Sequence, residues 1–206
     1  TKDLQDGNKE YTEYFKVMYD VSLNDIKRIY KYLGVDFDYW YGERDSYKYI
    51  DDLMKFLDKQ GVLEEDDGAK IVRVSKQDDR KEMPPLIIQR KSGAYLYATS
   101  DMATIYQRMQ DFKPNYILYV VDNRQSLYFE QVFRACEISN LTDGAVLEHD
   151  AFGTINGKDG KPFKTRSGET LKLEDLIKQT KEIFLSKKET NKDMDEKDID
   201  IIVNAI

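Results

Sequence analysis

A continuous apolar run near the centre of the chain constrains the fold more than any other feature. Residues 115–121 have the sequence NYILYVV, which is rich in β-branched and aromatic side chains. A run of this kind, without polar alternation, is typical of a strand that is covered on both faces, as in a parallel sheet. Helical patterns flank it at about 101–112 and 127–139, and a further short strand is predicted at 146–148.

The order of these elements predicts an α/β fold. Two more strands, at 86–88 and 94–97, are predicted ahead of the first helix. Strands that alternate with helices in this way are the signature of a doubly wound unit. We therefore predict a partial Rossmann-like, doubly wound parallel nucleotide-binding domain over residues 84–170.

The segments on either side of this domain have a different character. Residues 1–83 are predicted to form an α+β insertion, and residues 171–206 are predicted to form a C-terminal helical region. The patterns predict a helix at about 23–33 capped by Ser22, a strand at 35–41, a helix from Asp45 or Ser46 to Gly61, a hairpin that turns at Asp67-Gly68, a helix at about 173–186 and a last helix near 196.

Composition excludes several classes of function. Lys and Arg number 32 against 39 Asp and Glu, so the net charge of −7 gives no general basic field for nucleic acid. With one cysteine, Cys136, and one histidine, His149, the chain can form neither an intramolecular disulfide nor a His-rich metal centre, and we expect no metal site. Without a signal or membrane-spanning segment, a cytoplasmic protein with no membrane or DNA partner is expected.

The chain ends predict that this sequence is a piece of a longer protein. It begins at Thr1 without an initiator Met, and it stops at Ile206 inside an apolar run.

Polar residues that follow the predicted strands are the first candidates for a site, because ligands of doubly wound folds bind beyond the carboxyl ends of the strands. Asp101 fits either an N-cap or an acceptor for a cationic ligand, above all a guanidinium. Tyr97 fits either a half-buried aromatic or a wall for the same ligand. Gln125 fits either a turn or an amide that orients a polar substrate.

Two further candidates follow the last strand. His149 is a structural hydrogen-bonding residue on one interpretation and a site residue on the other. The loop at 157–168 is rich in glycine, cations and hydroxyls, so it predicts either a phosphate clamp or a solvated hairpin that turns at Asp159-Gly160.

Three separate motifs in this order resemble the second half of the catalytic domain of the arginyl-tRNA synthetase family. They are GAYLYATSDMAT (93–104), YILYVVDNRQ (116–125) and LEHDAFGTINGKDGKPFKTRSGETLKLEDL (147–176). Upstream, SLNDIKRIYKYLGVDFDYWYGERDSY (22–47) is similar to the part inserted between the two catalytic halves. The resemblance implies a class I ligase of protein biosynthesis, which uses ATP, with Mg²⁺ accompanying it, to join arginine to tRNA(Arg).

The resemblance also implies roles for residues at matching positions. It assigns Tyr97, Asp101 and Gln125 to the arginine substrate. It assigns His149, Phe152 and Gly153 to the ATP site. The implied phosphate loop comprises Lys161, Lys164, Thr165 and Arg166.

One departure from the family pattern limits the function expected of this sequence alone. The family's histidine-glycine-histidine motif for ATP requires histidines that the chain lacks, since His149 is its only one. We therefore expect a fragment that is inactive in isolation, although its parent is a ligase. The alternative is a stand-alone, non-catalytic binding or regulatory module derived from a synthetase.

Overall fold

The computed structural model describes residues 8–154, 156 and 172–188. The chain divides into two compact units, one of residues 1–39 and 156–206 and the other of residues 40–155. In chain order the elements are α1 (Lys9–Tyr32), a 3₁₀ helix (Glu43–Tyr49), α2 (Ile50–Lys59), β1 (Glu64–Asp66), β2 (Ala69–Val72), β3 (Leu86–Gln89), α3 (Tyr97–Asp111), β4 (Tyr116–Asp122), a second 3₁₀ helix (Asn123–Gln125), α4 (Ser126–Ile138), β5 (Val146–Phe152) and α5 (Leu173–Lys188).

The first unit contains α1 and α5. The Asn8 side chain caps α1 by accepting hydrogen bonds from the backbone N–H groups of Glu10 and Tyr11, at 3.1 and 3.3 Å. The prediction that Ser22 begins this helix is wrong, because Ser22 lies inside a longer helix that starts at Lys9. The first half of α1 also has apolar residues at helical spacing, namely Tyr11, Tyr14, Phe15 and Met18, although no residue of α1 is buried.

The predicted strand at 35–41 is also wrong, since these residues form neither a strand nor a helix. The Phe37 ring instead packs on the Tyr30 ring of α1, with the ring centroids 5.4 Å apart. Alternation of aromatic and acidic residues is therefore not sufficient for a strand without a partner to pair with. The predicted helix at 173–186 is confirmed as α5, whose Glu174 forms an ion pair with Arg28 of α1 at 2.5 Å.

The second unit opens with the first 3₁₀ helix and α2, which together confirm the helix predicted from Asp45 or Ser46 to Gly61. The hairpin of β1 and β2 is confirmed as well, and its turn residues Asp67 and Gly68 have φ angles of +47° and +78°. Two successive positive φ angles are those of a type I′ turn, which the Asp-Gly pair favours. β3 confirms the strand predicted at 86–88, and it pairs antiparallel with β2 in this sheet.

The parallel sheet consists of β4 and β5, which pair from Tyr116↔Val146 to Asp122↔Phe152. α4 lies between them in sequence, so the two strands and this helix form one crossover unit, and the predicted α/β class is confirmed. The predicted strand at 94–97 is wrong. Tyr95 makes one isolated bridge to Gln89, and α3 already begins at Tyr97.

A single apolar core holds the second unit together. Its fully buried side chains include Leu53 of α2, Ile88 of β3, Met102 of α3 and Val132 of α4. This core contains residues from both sides of position 83. The predicted division of the chain into 1–83, 84–170 and 171–206 stays a prediction. In the part of the chain that the structure describes, no helix is long and apolar enough to cross a membrane.

Candidate substrate pocket

The first turn of α3 carries two of the predicted arginine-site residues. Leu96 is the N-cap residue with extended backbone (φ −114°, ψ 173°), so Tyr97 is the first residue of the helix and Asp101 the fifth. The N-cap interpretation of Asp101 is therefore wrong. One turn of helix separates the two residues, which places them on the same face. Tyr97 is 75 % exposed and Asp101 is half-buried.

The first 3₁₀ helix packs against this turn and brings a second carboxylate. The Ser46 hydroxyl donates to the carbonyl of Ser100 at 3.2 Å, and the Ser100 hydroxyl lies 2.8 Å from Glu43 Oε1. Both serines are buried. The buried contact of Ser46 holds the 3₁₀ helix on α3, and the part-buried bond of Ser100 holds Glu43 near Asp101, although the two are far apart in sequence.

The surroundings of Asp101 disfavour its negative charge. Burial is the main cause that raises the pKa of this carboxyl, and the charge of Glu43 raises it further. A hydrogen bond from the Tyr128 hydroxyl and the positive charge of Arg108 act in the opposite direction. Two neighbouring carboxylates form a site that favours a cation, because a bound cation removes their mutual repulsion.

Aromatic residues surround this acidic pair. The hydroxyl of Tyr47 has a raised pKa, first because of burial and then because of the charge of Glu43, and the Tyr97 hydroxyl acts on it in the same direction. Tyr47 therefore lies close to both Glu43 and Tyr97. Aromatic walls with carboxylate acceptors suit a planar, delocalised guanidinium better than a compact ammonium ion.

Gln125 lies at the end of β4, as predicted. It is the last residue of the second 3₁₀ helix and the N-cap residue of α4, and it is exposed. The preceding turn is held by Asp122, whose carboxylate accepts hydrogen bonds from the backbone and the guanidinium of Arg124 at 2.8 and 2.9 Å. Tyr128, one turn further along α4, makes the contact between this segment and Asp101.

His149 has structural contacts within the parallel sheet. Its Nε2 lies 3.0 Å from the carbonyl oxygen of Val121, and its ring packs on Phe129 with centroids 5.2 Å apart. Phe152 ends β5 opposite Asp122, and Gly153 follows it. The last two predicted ATP-site residues thus lie at the carboxyl end of the parallel strands, where doubly wound folds bind their ligands.

The predicted phosphate-loop residues Lys161, Lys164, Thr165 and Arg166 lie outside the described residues, as does the last predicted helix near 196. Among the residues that the structure does describe, no group of three or more His, Cys, Asp or Glu side chains could hold a metal ion. A cavity of about 510 Å³ lies beside α4 and the start of β5, and of the predicted site residues within the described part of the chain His149 alone lines it.

Comparison with known proteins identifies the family of the chain. All 206 residues match the family described as "tRNA synthetases class I (R), catalytic domain". The chain belongs to this family. The resemblance that the three motifs predicted is therefore confirmed.

Two arginine–tRNA ligases are similar to this chain over nearly all of its length. The chain is 43 % identical over 207 residues to an arginine–tRNA ligase of Alkaliphilus oremlandii, a match that covers 100 % of this chain and 35 % of that protein. It is 41 % identical to an arginine–tRNA ligase of Agathobacter rectalis, over 97 % of this chain and 34 % of that protein. The chain thus spans about a third of the length of these relatives.

A solved structure confirms the fold. Arginyl-tRNA synthetase from Plasmodium falciparum superposes with a TM-score of 0.73 at 23 % identity, over 98 % of this chain and 33 % of that one. The partial class I catalytic fold predicted from the sequence is therefore confirmed.

Two residues of the pocket were not predicted from the sequence. Glu43 lies in a segment where no local pattern distinguishes its carboxylate from its acidic neighbours, so only the tertiary contact with Ser100 identifies it. Tyr128 occurs one turn after Gln125 on a helix that was predicted. That spacing could have suggested that both side chains face the same side.

Proposed function

We propose that the full-length protein that contains this chain is an arginine–tRNA ligase of the cytoplasm. It activates arginine with ATP to arginyl-adenylate and transfers the arginine to the 3′ end of tRNA(Arg). Membership of the class I (R) family supports this proposal, as do the names of the relatives. Because the chain spans about a third of their length, the tRNA-binding surface and part of the ATP site are assigned to other regions of the protein.

The acidic pair beside the first turn of α3 is the observation that carries the proposal. Asp101 and Glu43 lie together, and the described residues provide no ion-pair partner for either one. A guanidinium presents up to five N–H donors in one plane, so it can bond to both carboxylates. We assign the guanidinium of arginine to this pair and the exposed face of Tyr97 to the wall of its pocket.

The remaining site residues are assigned to the other end of the substrate. Gln125 is exposed at the end of β4, where its amide can bond to the polar groups of arginine. Phe152 and Gly153 border the nucleotide at the end of β5. We assign His149 the role of shaping that border, because its ring is already bonded to Val121 and packed on Phe129.

The reaction requires positioning and charge stabilisation more than acid–base catalysis. A carboxylate oxygen of arginine attacks the α-phosphorus of ATP in line, the bond to the β-phosphate oxygen breaks, and pyrophosphate leaves. The attacking carboxylate is already ionised near pH 7, so no general base is needed. Lys161, Lys164, Thr165 and Arg166 are assigned to the departing phosphates, and Mg²⁺ accompanies ATP as part of that substrate.

Arginine-dependent exchange of pyrophosphate into ATP by the full-length protein, with and without tRNA, tests the proposal. We expect exchange or aminoacylation with arginine, and none with lysine or with citrulline, which has arginine's shape without its charge. Equal activity with citrulline would contradict the acidic-pair assignment. Arginine binding without either reaction would favour the non-catalytic module instead.

The isolated 206-residue chain provides a second test. Because its sequence lacks the histidine motif of the family, we expect no exchange from it under the same conditions. Any arginine binding that it retains should disappear with Asp101→Ala, as measured by calorimetry. Robust exchange by the isolated chain would contradict the assignment of part of the ATP site to other regions.

A further inference from the structure

One hydrogen bond connects α4 to the acidic pair. The hydroxyl of Tyr128 donates to Oδ2 of Asp101, across 27 residues of sequence. Tyr128 is the third residue of α4, which begins directly after Gln125. This contact therefore links the segment that carries Gln125 to the carboxylate assigned to the guanidinium.

The Tyr128 side chain is held rigidly. It is half-buried against the apolar core, and its ring meets the edge of the Phe129 ring at 72°, with centroids 5.3 Å apart. Burial, followed by the hydrogen bond to Asp101, raises the pKa of the Tyr128 hydroxyl. The hydroxyl consequently keeps its proton near neutral pH and remains a donor to the carboxylate.

A fixed donor on one oxygen determines how the whole carboxylate is oriented. The terminal torsion of an aspartate has a broad energy profile, so an unrestrained carboxylate samples many orientations. With Oδ2 bonded to Tyr128, the plane of the group is set and Oδ1 is left for the N–H groups of a ligand. The repulsion from Glu43 would otherwise favour turning the carboxylate away.

We propose that Tyr128 is a positioning residue that orients the Asp101 carboxylate for the guanidinium of arginine and thereby sets the affinity for this substrate. The inference rests on the proposed function, because it needs arginine as the ligand of Asp101. Tyr128 does not contact the reacting atoms, so its effect falls on arginine binding and not on the chemical step.

The experiment compares Tyr128→Phe with a matched control in the full-length protein. The control is Tyr116→Phe, which also removes a tyrosine hydroxyl that donates to a carboxylate, here Glu148 at 2.6 Å on the exposed side of the parallel sheet. We expect Tyr128→Phe to raise the KM for arginine about tenfold, the usual size of one hydrogen bond to a charged group. The KM for ATP and kcat should stay within about twofold, and Tyr116→Phe should change none of the three.

The pH profile supplies a readout that loss of packing would not change. Among the residues that the structure describes, the titratable and charged groups that act on Asp101 are Glu43, Arg108, Tyr119, Tyr128 and Cys136. Of these, Tyr128 lowers the pKa of Asp101 most, so its removal should raise that pKa. Arginine binding needs the ionised carboxylate, and it is lost as pH falls through this pKa. In Tyr128→Phe the loss should begin at higher pH than in the unsubstituted protein.

Asp101→Asn separates failure of this inference from failure of the proposed function. If Asp101→Asn removes arginine activation while Tyr128→Phe leaves the KM for arginine and its pH profile unchanged, the positioning role is overturned and the pocket stands. If Asp101→Asn itself has no effect, the arginine assignment fails and the inference fails with it. An equal rise in the KM values for arginine and ATP after Tyr128→Phe would indicate general damage and would also overturn the positioning role.

Discussion

Two aspartates of the second unit, both partly shielded from water, have partners of different charge. Asp79 accepts two hydrogen bonds from the guanidinium of Arg134, at 2.6 and 2.8 Å, and their side chains are 12 and 13 % exposed. Asp101 is bonded to a neutral phenol and faces Glu43. Hydrogen bonds from Arg134, then from the Lys76 backbone, lower the pKa of Asp79 to about 2, whereas burial raises that of Asp101.

This difference distinguishes a carboxylate that stabilises the fold from one that is available to a ligand. The Asp79 charge is neutralised within the chain, and the pair joins the segment before β3 to α4. Among the residues that the structure describes, none forms an ion pair with Asp101, and the charge of Arg108 offsets only part of the effects of burial and of Glu43. A partly desolvated negative charge therefore persists at a cost in stability. Carboxylates with a pKa perturbed in this way concentrate at functional sites.

The largest expected effect is on arginine activation. Asp101→Asn keeps the shape of the side chain but removes the charge that the guanidinium needs. We expect kcat/KM for arginine to fall by roughly 100- to 1000-fold, as for loss of one member of a desolvated charge pair. Asp79→Asn in the full-length protein should leave it within about threefold. Pyrophosphate exchange measures both, and similar losses in the two variants would remove the distinction between the aspartates.

The next effect is on stability, and it concerns the other aspartate. Arg134→Met removes the guanidinium that binds Asp79 and leaves that carboxylate shielded and unpaired. We expect the melting temperature to fall by several degrees, and Asp79→Asn to cause a smaller fall, because Arg134 also bonds to the Val74 carbonyl and to Glu130. The double variant should lose less stability than the sum of the two single losses, because both variants remove the Arg134–Asp79 contact. Scanning calorimetry measures this, and additive losses would show that the pair is not coupled.

The pH dependence of stability should have opposite signs at the two sites. The folded-state pKa of Asp79 is below its unfolded value, so its contribution is full above the unfolded pKa and is lost as pH falls towards about 2. The folded-state pKa of Asp101 is raised, so its ionisation destabilises the fold as pH rises through that pKa. Asp101→Asn should therefore raise the melting temperature slightly at pH 7, and a fall would contradict the assigned cost.

The local sequence pattern predicted correctly those strands that also have a pairing partner in the fold. The run at 115–121 became β4 because its pairing with β5 and its packing on α4 suit a β-branched, apolar strand. The segment at 94–97, AYLY, is also apolar and aromatic, but within the described residues its strand pairing is limited to the isolated Gln89–Tyr95 bridge. The hydroxyl of Ser46 contacts the carbonyl of Ser100, and this contact favours a helix that already begins at Tyr97. The two serines are 54 residues apart, so a local sequence pattern does not reveal the contact.

The same limit applies to the pocket. Asp101 was predicted as a guanidinium acceptor from its own chemistry and its place along the chain. Glu43 and Tyr128 were not, because their importance depends on contacts across 57 and 27 residues of sequence. The sequence therefore predicted one half of the acidic pair, and the tertiary fold supplied the second carboxylate and the donor.

The smallest expected effect concerns an ion pair close to Asp79 that differs from it mainly in exposure. Lys76 and Glu137 are 3.0 Å apart, but their side chains are 44 and 68 % exposed. This pair also joins the segment before β3 to α4. It therefore tests whether the place of an ion pair in the fold or its shielding from water decides how much it stabilises the protein. Exposed pairs gain little because water screens them. We expect Lys76→Ala to change the melting temperature by less than about 1 °C, with activation unchanged. A fall as large as that of Arg134→Met would mean that the position of the link matters and the shielding of Asp79 does not.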